Sequence, residues 1–293
     1  MILSIGEILA DLIGEKENDV LNIQAFCGGA PFNVAVNAKQ SGAKVGFIGR
    51  VGKDPIGKFV TEFAERVGFD KLDIQVDKER NTTLAFVTLT GGERDFAFFR
   101  HDTADFNICA EEIDLNAYDG LNIVHIGSLM LSEERGREFA TAMVKKIKKA
   151  NKTFSFDVNF RMDLFDDLQQ AIKAYKPYID EADILKFSDD EILAYTGEQD
   201  LNAAISKVNK KDRLLLITLG SKGSMYVYNG LSGVVATEKV TPVDTTGAGD
   251  AFFGTVLAEL DGKEFTKENI ENALIKGNKA GAKATQFKGA IKL

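Results

Sequence analysis

The chain has 293 residues, 44% apolar and 27% charged, the ordinary globular range and room for one large α/β domain or two smaller ones. Lysine and arginine total 36 against 44 aspartates and glutamates, a net charge of −8, and the one dense basic run, Lys145-Lys146-Ile147-Lys148-Lys149, falls on a helix face, so nucleic acid is excluded as a partner. Cys27 and Cys109 make no disulfide framework, His101 and His125 are isolated, no stretch is apolar enough to span a bilayer, and no basic leader precedes the first apolar run; the chain reads as cytoplasmic, with no membrane partner.

Short apolar runs alternate with amphipathic segments along the chain. A strand is expected at 2–5, then a strand pair over 11–26 turning at Glu15-Lys16-Glu17-Asn18-Asp19, a helix at 31–41, a strand at 44–48 and a helix at 55–67. A second strand pair over 82–100 turns at Gly91-Gly92-Glu93. There follow strand 123–126, helix 133–150, strand 153–157, helix 169–178, strand 184–187 and helices 190–196 and 201–209. Strands at 214–219, 223–228 and 233–236 and helices at 249–260 and 267–284 complete the order. This alternation predicts an α/β fold, a mostly parallel sheet in a Rossmann-like three-layer α/β/α sandwich, as a single domain over residues 1–293. The two strand pairs interrupt the alternation and are expected to form one small β-sheet standing off the main domain as a lid. Ligands of such sheets bind beyond the carboxyl ends of the strands, so polar residues just past strands are the site candidates.

The most informative segment is Asp244-Thr245-Thr246-Gly247-Ala248-Gly249-Asp250-Ala251-Phe252-Phe253-Gly254, where a turn of small residues opens an apolar helix. Such a turn exposes backbone N–H groups at the positive end of the helix dipole, a ready anion site, and its glycines let the backbone approach a phosphate. Asp250, in the first helical turn, is placed to take a proton from an attacking hydroxyl while Gly247, Ala248 and Gly249 steady charge on a transferring phosphoryl group. No Gly-x-x-x-x-Gly-Lys-[Ser/Thr] loop occurs, and the small-residue run lacks the third glycine of a dinucleotide fingerprint.

The segment 244–254 resembles the C-terminal signature of the ribokinase-like (PfkB) carbohydrate kinases, and further matches follow in order along nearly the whole chain. Gly28-Gly29-Ala30-Pro31-Phe32-Asn33-Val34-Ala35 resembles that family's first motif, 49–57 its Gly-x-Asp-x-x-Gly turn, and 216–223 its nucleotide-strand motif. Gly-Ala-Pro-Phe-Asn at 29–33, Phe156-Asp157-Val158-Asn159-Phe160-Arg161 and Phe96-Ala97-Phe98-Phe99-Arg100 lean toward fructokinase, and are shared in part with kinases of aminoimidazole riboside and 2-keto-3-deoxygluconate.

The resemblance implies an ATP-dependent kinase of a small sugar, with D-fructose the first choice, and a ribokinase, nucleoside kinase or catalytically silent sugar-binding relative as alternatives. It assigns Asp11, Gly28, Gly29, Asn33, Phe98, Arg100, Asn159 and Arg161 to the sugar, and Lys186, Thr218, Gly220, Gly223 and Asn278 to the nucleotide. Glu191 is expected to hold Mg²⁺ through water, although Ser188 stands where the family's asparagine is usual. Asp244 and Thr246, with carbonyls near Ala284 and Gly289, match a K⁺ site found in part of the family. Lid sheets of this kind often pair between subunits, which predicts a homodimer through the lid. Cys27 is expected to be a packing residue.

Overall fold

A computed structural model describes residues 1–90 and 93–293, and their side chains apart from 15–17, 87–90, 93–96 and 163. In chain order the elements are β1 (Ile2–Ile5), β2 (Leu9–Glu17), β3 (Val20–Gly28), α1 (Ala30–Gln40), β4 (Val45–Gly52), α2 (Pro55–Val67), β5 (Lys71–Asp77), β6 (Leu84–Thr90) and β7 (Glu93–Phe99). Then come β8 (Ile123–Ile126), α3 (Glu134–Lys149), β9 (Thr153–Asp157), α4 (Leu168–Glu181), β10 (Ile184–Ser188), α5 (Asp189–Thr196) and α6 (Leu201–Val208). The last are β11 (Leu214–Thr218), β12 (Ser224–Tyr228), β13 (Leu231–Val235), α7 (Ala248–Leu260) and α8 (Lys267–Ala284). The expected turn at Gly91-Gly92 lies outside the described residues.

The main sheet runs β13-β12-β11-β10-β9-β8-β1-β4-β5. It is parallel from β11 through to β5, and β12 and β13 add an antiparallel edge. Strands buried on both faces call for near-continuous apolar side chains: β11 is apolar from Leu214 to Ile217, and β1 is apolar but for Ser4, whose hydroxyl donates to Pro31 O at 2.7 Å. Successive residues serve opposite layers: Leu215 and Ile217 pack with α3–α6, while Leu214 and Leu216 pack with α1, α2, α7 and α8. The expected three-layer α/β/α sandwich is present.

Two features escaped the sequence reading. β5 was not expected, yet Leu72, Ile74 and Val76 alternate with polar neighbours as an edge strand does. β12 and β13 form a hairpin across Asn229-Gly230, both at positive φ (45° and 79°), because the Asn-Gly pair suits a tight turn of that twist.

The two strand pairs do join in one separate four-stranded sheet, ordered β3-β2-β6-β7, with β2 parallel to β6. Its foot rests on a small apolar cluster of Leu9, Ala85 and Leu129, against which Phe98 and Leu164 pack. Among the described residues no helix is long and apolar enough to cross a membrane.

Candidate active site

Chain segments leaving β1, β8, β9, β10 and β11 line a cleft of about 380 Å³. The small sheet adds Asp11, Ala85 and Phe98, and the turn ahead of α7 adds Thr245, Thr246, Gly247 and Gly249, with Asp250 behind them. Of the expected residues, Gly29, Asn33, Asn159, Arg161, Lys186, Glu191 and Thr218 also line it.

Gly247 is the N-cap of α7 and sits at φ 75°, in the left-handed region that favours glycine; a side chain there would run into Ala290. Helix geometry leaves the first-turn N–H groups of α7 without partners four residues back; Ala248 N donates to Thr245 O at 3.3 Å, and those of Gly249 and Asp250 are the donors such a turn offers an anion. Asp250 follows in that turn and accepts a hydrogen bond from Asn33 Nδ2 at 2.8 Å. Burial and the charge of Asp157 push the Asp250 carboxyl up to about 6, while the Asn33 bond, Lys186 and Arg161 pull it down. It is therefore an ionised but basic carboxylate at neutral pH, which suits a proton acceptor.

Asp11 occupies the space where a Gly28 side chain would be, so Gly28 is glycine to admit that carboxylate. Burial first, then Asp250 and Asp244, push Asp11 up to about 7, against the pull of Arg161. Gly28 itself lies behind Asp11 and is not among the lining residues. Asn159, just past β9, holds a φ of 38°, a conformation asparagine tolerates, and stands beside Arg161 on the cleft wall.

Lys186 and Asp157 are register partners on β10 and β9, and Lys186 Nζ bonds both carboxylate oxygens at 2.8 Å. Burial pulls this lysine down, but Asp157, Glu191 and Asp250 outweigh it and hold the ammonium charged. A side chain added at Gly249 would lie 3.2 Å from Lys186 Nζ, so the ammonium stands directly against the small-residue turn. Asp157 lines the cleft and had no role in the sequence reading; its signal was a carboxylate ending an apolar strand one place before the Asn159 loop. Glu7 was also missed. It follows β1, lines the cleft, is 1% exposed, and burial pushes its carboxyl up to about 8 against the pull of Arg100.

Glu191 accepts from Phe160 N at 3.1 Å and from Ser188 N at 2.7 Å, closing a capping box with Ser188 at the start of α5. Among the described residues no cluster of three metal-ligating side chains exists. Asp244 is 3% exposed and accepts from Thr246 N at 2.7 Å and Gly289 N at 3.0 Å.

Besides Gly28, the expected residues Ala248 and Asp244 are not among the lining residues, and four more lie elsewhere. Arg100 does not line the cleft: its guanidinium bonds Asp105, Leu129 O and Ser132 Oγ, and lies 3.8 Å over the Phe106 ring. Asp105, five residues on, pairs with it in the interior. Arg100 instead backs a wider groove of about 660 Å³ beside residues 79–84, which has no small-residue turn. Gly220 and Gly223 bracket the short turn between β11 and β12, and Asn278 on α8 donates to Val235 O at 2.9 Å; none of the three lines the cleft.

A lone carboxylate at the leading end of a helix, facing a charged lysine across a turn of small residues, is the layout of an enzyme that moves a phosphoryl group. The pattern of the pfkB family carbohydrate kinases matches residues 1–293, and the chain belongs to that family. A probable fructokinase of Arabidopsis thaliana is 36% identical over 302 residues, covering 99% of this chain and 93% of its own. The fructokinase of Vibrio cholerae O395, solved with fructose, ADP and a calcium ion, superposes with a TM-score of 0.89 at 30% identity, covering 99% of this chain and 94% of that one. An uncharacterized sugar kinase of Pyrococcus horikoshii in complex with ATP gives 0.86 at 33% identity, with coverage of 99% and 94%.

Proposed function

We propose that this chain is an ATP-dependent sugar kinase that transfers the γ-phosphoryl group of ATP to a primary hydroxyl of D-fructose. The observation that carries the reading is Asp250, fixed by Asn33 and perturbed toward basicity, in the first turn of α7 behind Gly247, Ala248 and Gly249. Asp250 takes the hydroxyl proton as the sugar oxygen bonds to the γ-phosphorus. The bond from that phosphorus to the β–γ bridging oxygen breaks, and ADP leaves with the electron pair. The N–H groups of the turn and Lys186 steady the charge that develops on the equatorial oxygens.

Asp11, Asn33, Asn159 and Arg161 supply the acceptors and donors that a polyol requires, with Phe98 over its apolar face. Thr218 and the turn bounded by Gly220 and Gly223 border the nucleotide, with Asn278 behind the adenine. Mg²⁺, approached through water by Glu191, would neutralise the phosphate charge, and K⁺ would sit by Asp244 and Thr246. The small sheet acts as a lid on a single domain and excludes water that would compete as acceptor. A homodimer through that lid and a cytoplasmic location complete the reading. A coupled ADP-release assay across fructose, ribose, 2-keto-3-deoxygluconate, aminoimidazole riboside and other nucleosides tests it. Turnover is expected to be greatest on fructose; turnover on nucleosides alone, or on none of the panel, overturns it.

A further inference from the structure

Glu7 has no place in the phosphoryl transfer described above, yet it is the best hidden acid of the cleft. It is 1% exposed, and neither Oε1 nor Oε2 has a hydrogen-bond partner among the described residues. Three other acids of the cleft are engaged: Asp157 by Lys186, Asp250 by Asn33 and Glu191 by two backbone N–H groups. A buried carboxyl left unsatisfied is costly, so a fold that keeps one there asks for an explanation.

The surroundings are cleared for it. A Cβ at Gly127 would meet Pro31 at 2.7 Å and Glu7 Oε2 at 2.8 Å, so glycine at 127 is what admits the Glu7 carboxyl beside Pro31. Leu9 and Leu129 line the same part of the cleft and offer no polar group, while Asn33 Oδ1 is a second buried acceptor without a partner among the described residues. Burial holds the Glu7 proton on at neutral pH, so the group presents one O–H donor and one carbonyl acceptor rather than a charge.

We propose that Glu7 is a specificity-determining sugar contact: its buried, unpartnered carboxyl hydrogen-bonds a substrate hydroxyl other than the one that Asp250 deprotonates. Asn33 Oδ1 accepts from the same region of the polyol. A site built to bond a hydroxyl rejects the analogue that lacks it, because its buried polar groups are then left unpaired. Glu7 therefore makes the cleft selective for polyols over otherwise similar deoxy compounds. This rests on the sugar-kinase reading of the same cleft.

The test measures KM for fructose, KM for ATP and turnover of monodeoxy-fructoses by the full chain, wild type against Glu7→Leu and Glu7→Gln. Wild type is expected to lose about 10- to 100-fold in kcat/KM on one monodeoxy sugar. Glu7→Leu is expected to raise the fructose KM by a similar factor, to treat that deoxy sugar and fructose alike, and to keep its KM for ATP within about threefold. Glu7→Gln, whose amide also offers a donor and an acceptor, recovers most of the lost sugar affinity. Retention by Glu7→Leu of the full wild-type discrimination against every deoxy sugar overturns the proposal. So does a fall in melting temperature with unchanged fructose KM, which would mean that Glu7 holds only an internal water against Arg100. Glu7→Met takes the same arm should Glu7→Leu not fold. Failure of the wild type to phosphorylate any sugar is a different result: it removes the sugar-kinase reading, and the proposal with it.

Discussion

Asp250 has neighbours that pull on its proton in opposite directions. Burial and Asp157 favour the protonated acid, while Asn33, Lys186 and Arg161 favour the carboxylate. Since the base must be unprotonated to act, kcat/KM is expected to fall as pH drops through about 6, and a pH–rate profile checks it. Asn33→Ala removes a bond that favours the charged form. The acid limb should then move to higher pH, with activity at pH 6.5 reduced by about tenfold, from the usual worth of a bond to a charged group. A profile that does not move separates Asn33 from the base. Gly28→Ala should force Asp11 aside and raise the KM for sugar by about 10- to 100-fold, as misplacement by an ångström commonly does, with the KM for ATP little changed. At this scale the sequence was most legible where a motif carries its own chemistry. Asp250 could be read from a small-residue turn opening an apolar helix. Lys186 could be placed near phosphate, but its bidentate partner Asp157 could not, because that pairing depends on the register of two strands 29 residues apart. Glu7 lay just past the expected strand 2–5, among the apolar residues Ile5, Ile8 and Leu9, with no motif to mark it. Arg100 looked like a donor for a ligand until Asp105 was found to claim it.

At the scale of elements, α7 and the small sheet are the parts on which function turns. Gly247→Ala would meet a positive φ and Ala290 together. It should cost about 1–2 kcal/mol or more of stability and raise the KM for ATP by loosening the N-terminus of α7, measured by denaturant titration and initial rates. β3 forms one edge of the small sheet and exposes Val20, Leu21 and Ile23 at 60%, 49% and 48%. An uncovered apolar edge strand invites pairing, which supports the dimer. Sedimentation should show a dimer that Ile23→Lys splits; a wild type that stays monomeric at working concentrations counts against it. The two strand pairs were legible from their turn residues and lack of helical period. Their union in one sheet was expected, but its route through parallel β2 and β6 was not legible, since those strands are far apart in the chain and no local signal sets their register.

Across the whole molecule, Glu7, Asp11 and Asp250 are all raised above their ordinary values, to about 8, 7 and 6. A folded state that holds protons more tightly than the unfolded one loses stability as pH rises through the folded pKa values. The site thus weakens the fold between about pH 4 and 8. Asp250→Asn should stabilise the protein at pH 8 by about 1–2 kcal/mol, or roughly 2–6 °C, with the gain shrinking toward pH 5. The layered architecture was legible because parallel strands buried on two faces leave unbroken apolar runs such as Leu214-Leu215-Leu216-Ile217. The polar exceptions to that pattern are where the fold gives up stability to the cleft. The most direct measurement of the central claim is turnover of fructose and ATP by Asp250→Asn. A loss of about 10²- to 10⁴-fold in kcat with the KM for ATP largely preserved is the predicted result. Near-normal turnover in that variant would show that another group takes the proton.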